Sequence, residues 1–126
     1  VPSFSQQSNA ILETVDPRLQ RLFRRVVVGF DCQVLSGIRT KDEQRVLVFA
    51  GRSKTKNSRH LTGHAVDVLP YPVVWTDTKR HYAFCGYVRG IASMMGIKVR
   101  GGHDWDSDWT FTDQTFHDRP HWELLD

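Results

Sequence analysis

Ser58-Arg59-His60-Leu61-Thr62-Gly63-His64-Ala65-Val66-Asp67-Val68 is the stretch on which the fold turns. Ala65 to Leu69 reads as a buried strand, closed by Pro70-Tyr71-Pro72 because proline cannot continue a ladder. Alternate side chains of a strand share a face, so Asp67 points away from Val66 and Val68, whose apolar pair marks the core side. A carboxylate in that position needs a metal, a cation or several donors. His60 lies upstream across the Gly63 turn and can come back to it, so His60 and Asp67 can share one ion.

A second stretch, Phe116-His117-Asp118-Arg119-Pro120-His121-Trp122-Glu123-Leu124, supplies the rest. Alternation puts His121 and Glu123 on one face and Trp122 and Leu124 on the other, with Asp118 before the Pro120 bend. Two imidazole nitrogens and a carboxylate oxygen make a hydrolytic zinc site whose fourth position is left to water. Asp118 is then the candidate general base, beside the water rather than on the metal. His64, His103 and His117 are rival ligands; His64 follows His60 by four residues but across a glycine, which favours a supporting place in the cleft. His81 reads as an exposed helix histidine. The alternative for the ligand set is a group of hydrogen-bonded structural residues, and for Asp118 a turn-forming aspartate before proline.

Outward from these stretches, residues 5–14 and 16–28 read as helices, the second opened by Asp16-Pro17 as N-cap and first-turn proline. Cys32 to Ile38 reads as a strand, and Thr40 caps a helix to about Phe49 with Glu43 in the capping-box position. Residues 51–59 form a polar, basic surface loop. A long helix starts at Asp77 or Thr78 and ends at Gly96, with Tyr82, Cys85, Val88, Ile91, Ala92 and Met95 as its apolar face. Ile97 to Val99 is a short strand, residues 101–115 a long aromatic and acidic loop, and Pro120 to Leu125 a final strand. Strands and helices alternate without a βαβ rhythm, so the expected class is α+β, a small antiparallel sheet packed with helices.

A chain of 126 residues has room for one domain, residues 1–126, and none for a second. With 40% hydrophobic and 25% charged residues it is globular rather than disordered, and no apolar run is long enough for an integral membrane segment. A net charge of +3 falls short of a nucleic-acid footprint, so no nucleic-acid partner is expected. Cys32 and Cys85 belong to no metal-binding or CxxC spacing and read as buried thiols. The N-terminal residues lack the features of a secretory signal, which points to a cytoplasmic protein; the start at Val1 leaves open whether a leader was removed before it.

The two motifs, SxHxxGxAxD at Ser58, His60, Gly63, Ala65 and Asp67, and DxPHWEL from Asp118 to Leu124, resemble those of the M15 zinc peptidases. The chain is most similar to the phage endolysins of that group that act as L-alanyl-D-glutamate peptidases, and the likeness extends over the SGIRT segment at Ser36 to Thr40 and the loop from Gly101 to Trp109. The resemblance implies a hedgehog/D,D-peptidase-like fold, one zinc ion on His60, Asp67 and His121, Asp118 as base, and Arg39 facing the substrate, where it polarises the scissile carbonyl. Many members carry glutamate where this chain has Asp118. The bland alternative for Arg39 is a surface cation paired to Asp42 or Glu43. Ser58, Gln44, Trp109 and His64 are further candidates for substrate contact. The resemblance also implies a peptidoglycan stem peptide as substrate, a monomer held in the host cytoplasm until lysis, and passage to the periplasm and cell wall through a holin-type lesion.

Two alternatives stand beside this reading. One is a zinc D,D-carboxypeptidase or dipeptidase acting on D-alanyl-D-alanine ends; the other is a non-catalytic, zinc-stabilised wall-binding module. Asp104-Trp105-Asp106-Ser107-Asp108 has the alternating oxygens of a Ca2+ loop but lacks the glycine and terminal glutamate of an EF-hand, so a solvated acidic loop is the preferred reading.

Overall fold

A computed structural model describes residues 1–53, 58–113 and 117–125. Two helices open the chain, α1 (Gln6–Leu12) and α2 (Pro17–Gly29). Ser5 caps α1 by accepting the Ser8 N–H, and Asp16 caps α2 by accepting that of Arg18, with Pro17 at the first helical position. Next come β1 (Cys32–Ser36) and α3 (Lys41–Phe49), the latter opened by a reciprocal capping box between Thr40 and Glu43. A short 3-10 turn (Arg59–Thr62) leads into β2 (Ala65–Pro70), followed by α4 (Thr78–Met95), β3 (Val99–Gly102) and β4 (Asp118–Leu124). Among the described residues no helix is long and apolar enough to cross a membrane.

The four strands form one antiparallel sheet in the order β1-β2-β4-β3, so the α+β expectation is met. β2 and β4 lie at its centre although a long helix and a loop separate them in sequence. Their register sets Val66 opposite Trp122 and Asp67 opposite His121. Because the pleat alternates, the first pair turns to the core and the second to the other face. On the core side Trp122, Val66, Val68 and Leu124 pack against Leu19, Leu22, Phe23 and Val26 of α2 and Phe84, Val88 and Ala92 of α4. Phe23 meets the Trp122 ring edge-on at 6.4 Å. Each such fully buried large side chain contributes roughly 1.5–3 kcal/mol, so this layer is what holds the two central strands in register.

Several element boundaries differ from the sequence expectations. The segment after the basic loop, read from sequence only as a turn at Gly63, is a 3-10 turn: four residues are too few to show a period, and Ser58 and left-handed Gly63 (φ +75°) define it instead. Residues 54–57 and 114–116, parts of the expected basic and acidic loops, lie outside the described residues. β4 begins at Asp118 and runs through Pro120, and β3 runs from Val99 to Gly102 rather than from Ile97 to Val99. The buried face of α4 is His81, Phe84, Cys85, Val88 and Ala92; Met95, expected there, is exposed. His81, expected on the surface, is 2% exposed, its Nδ1 accepting the Arg119 Nε–H at 3.1 Å. Both thiols are buried as expected.

Candidate metal centre and cleft

His60, Asp67 and His121 converge on the face of the sheet opposite the core. His60 comes from the 3-10 turn, where the Ser58 hydroxyl accepts its backbone N–H at 3.2 Å. Its Nδ1 donates to the Gly37 carbonyl at 2.8 Å, and its Nε2 lies 3.1 Å from Asp67 Oδ1. His121 presents Nδ1 to the same oxygen at 3.4 Å and turns Nε2 to Glu123 Oε1 at 2.9 Å. Each imidazole is thus oriented by a partner on its far nitrogen, the arrangement that metal-ligating histidines adopt.

The spacing fits a metal ion. Ligands about 2.0–2.1 Å from a tetrahedral zinc stand about 3.3 Å from one another, and the two nitrogen-to-oxygen separations here are 3.1 and 3.4 Å. Among the described residues no fourth protein ligand joins the group, which leaves one corner for solvent or substrate.

The charges agree with a cation-binding site. Burial alone would raise the Asp67 carboxyl, but hydrogen bonds with His121 and His60 outweigh it and hold the group far below the usual carboxylate range. Burial alone would lower His121; Asp67, Glu123 and Asp118 reverse this and push it up to about 9. A proton on His121 therefore offsets part of the negative charge that a metal ion would otherwise balance. Asp118 is raised above its ordinary value, first by burial and then by the Asp67 charge. It is thereby shifted toward the range in which a carboxylate can accept and return a proton near neutrality.

Arg39 is not the surface cation of the bland alternative. Its guanidinium donates to Ser36 Oγ, Gln44 Oε1 and Asp67 Oδ2 at 3.2, 3.0 and 3.0 Å. It holds the carboxylate oxygen that the imidazoles do not use, while lining the cleft. Gln44, a candidate for substrate contact, is fully buried and donates to Ser53 Oγ at 2.8 Å. It sits on the inner side of α3 and orients Arg39 instead.

The cleft in front of the group has a volume of about 770 Å3, with Ser58, Asp118, Trp75 and Trp105 among its walls. Trp109, expected there, lies elsewhere: the Arg89 guanidinium stacks on its ring at 3.2 Å, and Trp105 takes the place in the cleft. Among the described residues His64 does not join the group. Its Nδ1 is paired with the Thr62 hydroxyl at 2.6 Å and its Nε2 lies 4.0 Å from Asp16. His103 is buried against Trp122, Tyr82 and Phe111, and His117 lines the cleft with its Nδ1 on the Tyr82 hydroxyl at 3.1 Å.

Two contributors escaped the sequence reading, although alternation had already put one of them beside His121. Glu123 is buried, and Arg100 donates to its Oε2 at 2.8 Å from the paired position on β3. Burial alone would raise Glu123, but His121 and Arg100 hold it down at about 2. The acidic loop also departs from expectation. Asp104 is buried rather than solvated, and Asp104, Asp106 and Asp108 bring carboxylate oxygens within 4.8 Å of one another.

The family model described as phage L-alanyl-D-glutamate peptidase matches residues 1–125. The L-alanyl-D-glutamate peptidase of Escherichia phage T5 is 31% identical over 133 residues, covering 97% of this chain and 97% of that protein. The crystal structure of the Serratia marcescens L-Ala D-Glu endopeptidase ChiX superimposes with a TM-score of 0.79 at 33% identity, covering 98% of this chain and 91% of that one.

Proposed function

The chain belongs to the phage L-alanyl-D-glutamate peptidase family, and from that premise we propose that it is an endolysin that hydrolyses the L-alanyl-D-glutamate bond of the peptidoglycan stem with one zinc ion on His60, Asp67 and His121. The observation that carries the metal is the convergence of two oriented imidazole nitrogens and one carboxylate oxygen at tetrahedral spacing. When bound, zinc supplies Lewis acidity that polarises the scissile carbonyl and acidifies the attacking water.

The chain's own groups do the remaining work. Asp118, on the cleft wall and with a raised pKa, accepts the water's proton and returns one to the leaving amine of the D-glutamyl residue. Gly37 and Glu123 keep the two imidazoles in the orientation the ligand role needs. Arg39 fixes Asp67 and adds positive potential where the carbonyl oxygen gathers charge. The names of the relatives favour this bond over a D-alanyl-D-alanine end, and the raised Asp118 beside an open corner favours turnover over a purely structural zinc.

Digestion of purified peptidoglycan with and without a chelator, followed by mass spectrometry, tests both parts. The expected products are sugar-linked L-alanine and stems beginning with D-glutamate, absent when metal is removed and restored by zinc. Release of D-alanine alone would instead establish the carboxypeptidase alternative.

A second cation reading rests on Asp104. Its buried Oδ1 has no hydrogen-bond partner among the described residues, and Asp106 and Asp108 complete an oxygen-only set of the kind that suits Ca2+. Isothermal titration with calcium should give binding that Asp106→Asn weakens; no heat at millimolar calcium rejects this reading.

A further inference from the structure

The cleft is not symmetrical about the metal ligands. Arg59, Arg100 and Trp105 line only the part in front of His121. Ile11, Leu35 and Val46 line only an adjoining, more apolar groove of about 830 Å3 walled by α1, β1 and α3. The two parts meet at Arg39, Asp67 and Pro120. An extended substrate lying across the ligands therefore meets Arg59 and Arg100 at one end only, Arg39 and Arg52 at the junction, and mostly apolar walls at the other end.

The bond assigned above is asymmetrical in the same sense. On its carbonyl side stand the alanine methyl and an uncharged linkage to the sugar. On its amine side the D-glutamyl residue extends the stem through its γ-carboxyl, which leaves a free α-carboxylate on the carbon bearing the scissile nitrogen. We infer that Arg100 binds that α-carboxylate, so that the D-glutamyl half lies on the β3 side of the cleft and the alanyl half in the groove beside β1 and α3. This deepens the L-alanyl-D-glutamate reading and rests on it.

Arg100 is placed for the task by the sheet. It pairs with Glu123 in the β3–β4 ladder and donates to Glu123 Oε2, while Oε1 of the same carboxylate meets His121 Nε2. One carboxylate thus separates the guanidinium from a metal ligand. The Arg100 side chain is 38% exposed, although its Nε is buried. A guanidinium has five N–H donors, so the contact with Glu123 leaves capacity for a second carboxylate. The Trp105 ring, 5.6 Å from the guanidinium carbon, packs beside it at the cleft wall. Arg39 is the less suitable reader, since three of its five N–H groups already serve Ser36, Gln44 and Asp67 and its side chain is only 15% exposed.

The test compares kcat/KM on two synthetic stem peptides, one with D-glutamate and one with D-isoglutamine, in which the α-carboxylate is an uncharged carboxamide. The native protein should favour the acid by about 10- to 100-fold, the range of a charge-assisted contact. Arg100→Met should bring the ratio close to one, and Arg100→Lys, which keeps the charge but not the fork, should lower it several-fold. Damage passed through Glu123 to His121 would slow both substrates alike and leave the ratio intact, and that result overturns the inference. So does a native ratio near one, or a ratio abolished by Arg59→Gln and untouched by Arg100→Met. Should Arg100→Met fail to fold by circular dichroism, an unchanged ratio in Arg100→Lys overturns it equally. If the native protein cuts neither peptide while releasing D-alanine from intact stems, the bond assignment itself has failed and the inference falls with it.

Discussion

Asp67 and His121 stand directly opposite each other on β2 and β4, with Asp67 Oδ1 and His121 Nδ1 3.4 Å apart. The register that seats Val66 against Trp122 in the core is the same register that brings these two groups together. A slip of one residue in either strand would send its member of the pair to the wrong face, so packing on one side of the sheet maintains the chemistry on the other.

Ligand and base should separate in mutants. His60→Ala, Asp67→Ala and His121→Ala are expected to lose bound zinc and activity together. Asp118→Ala should retain zinc and lose about 10²- to 10⁴-fold in kcat, the usual range for a general base. Metal content by mass spectrometry alongside kinetics decides this, and a fully active Asp118→Ala protein would end the base assignment.

Glu123 should act through His121. Glu123→Ala removes the acceptor that orients Nε2 and is expected to weaken zinc binding about 10- to 100-fold. Competition with a chromophoric chelator measures it. Unchanged affinity would mean that Glu123 serves only to pair Arg100.

Gly102 is required by its neighbour. A Cβ there would lie 2.1 Å from the Asp118 carbonyl oxygen, a backbone atom that cannot swing aside, where β3 and β4 shift register. Gly102→Ala should cost about 1–3 kcal/mol of stability, as overpacking does, and should lower kcat by moving Asp118. Denaturant midpoints and kinetics on the variant give both numbers.

The acid limb of stability should involve His81. Burial, and then the nearby Arg119 charge, lower its pKa below 6.5, so the folded protein keeps it neutral while the unfolded chain protonates it. Its contribution is complete above pH 6.5 and declines as pH falls from there toward the lowered folded value. Urea midpoints at pH 7.5 and 5 should show the decline, and His81→Gln should flatten it; an equal slope in the variant assigns the effect to other groups.

The alkaline limb should involve the two thiols. Burial pushes Cys32 and Cys85 up from 9.0 to about 12. Between those values the unfolded chain ionises and the folded chain does not, so stability falls with rising pH by about 1.4 kcal/mol per unit for each thiol. Cys32→Ala combined with Cys85→Ala should remove that slope, at the expense of a lower midpoint at neutral pH. Thiol reagents should react slowly with the folded protein and fully after unfolding.

Much of this molecule could be read from local chemistry. The capping box at Thr40 and Glu43, the Asp16-Pro17 helix start and the alternation around Asp67 and His121 each depend on neighbours a few residues away, and each is present in the structure. The candidate metal ligands were legible for the same reason: strand period and turn residues confine them to one face before any packing is known. Contacts made across the fold were not legible. His81 looked exposed because nothing nearby in sequence indicates Arg119, 38 residues on. Gln44 and Trp109 looked available to substrate because only the packing of α3 and the stacking of Arg89 on Trp109 turn them elsewhere.

The sequence alone therefore determined which residues can ligate a metal, which strand face they occupy and where the helices begin, since those properties follow from backbone period and capping over a few residues. The tertiary structure decided which nitrogen of each imidazole faces Asp67, that Arg39 grips the other carboxylate oxygen, and that Glu123 and Arg100 stand behind His121. Those relations join segments far apart in the chain. Their distances are set by strand register and core packing, which arise only when the whole sheet has formed.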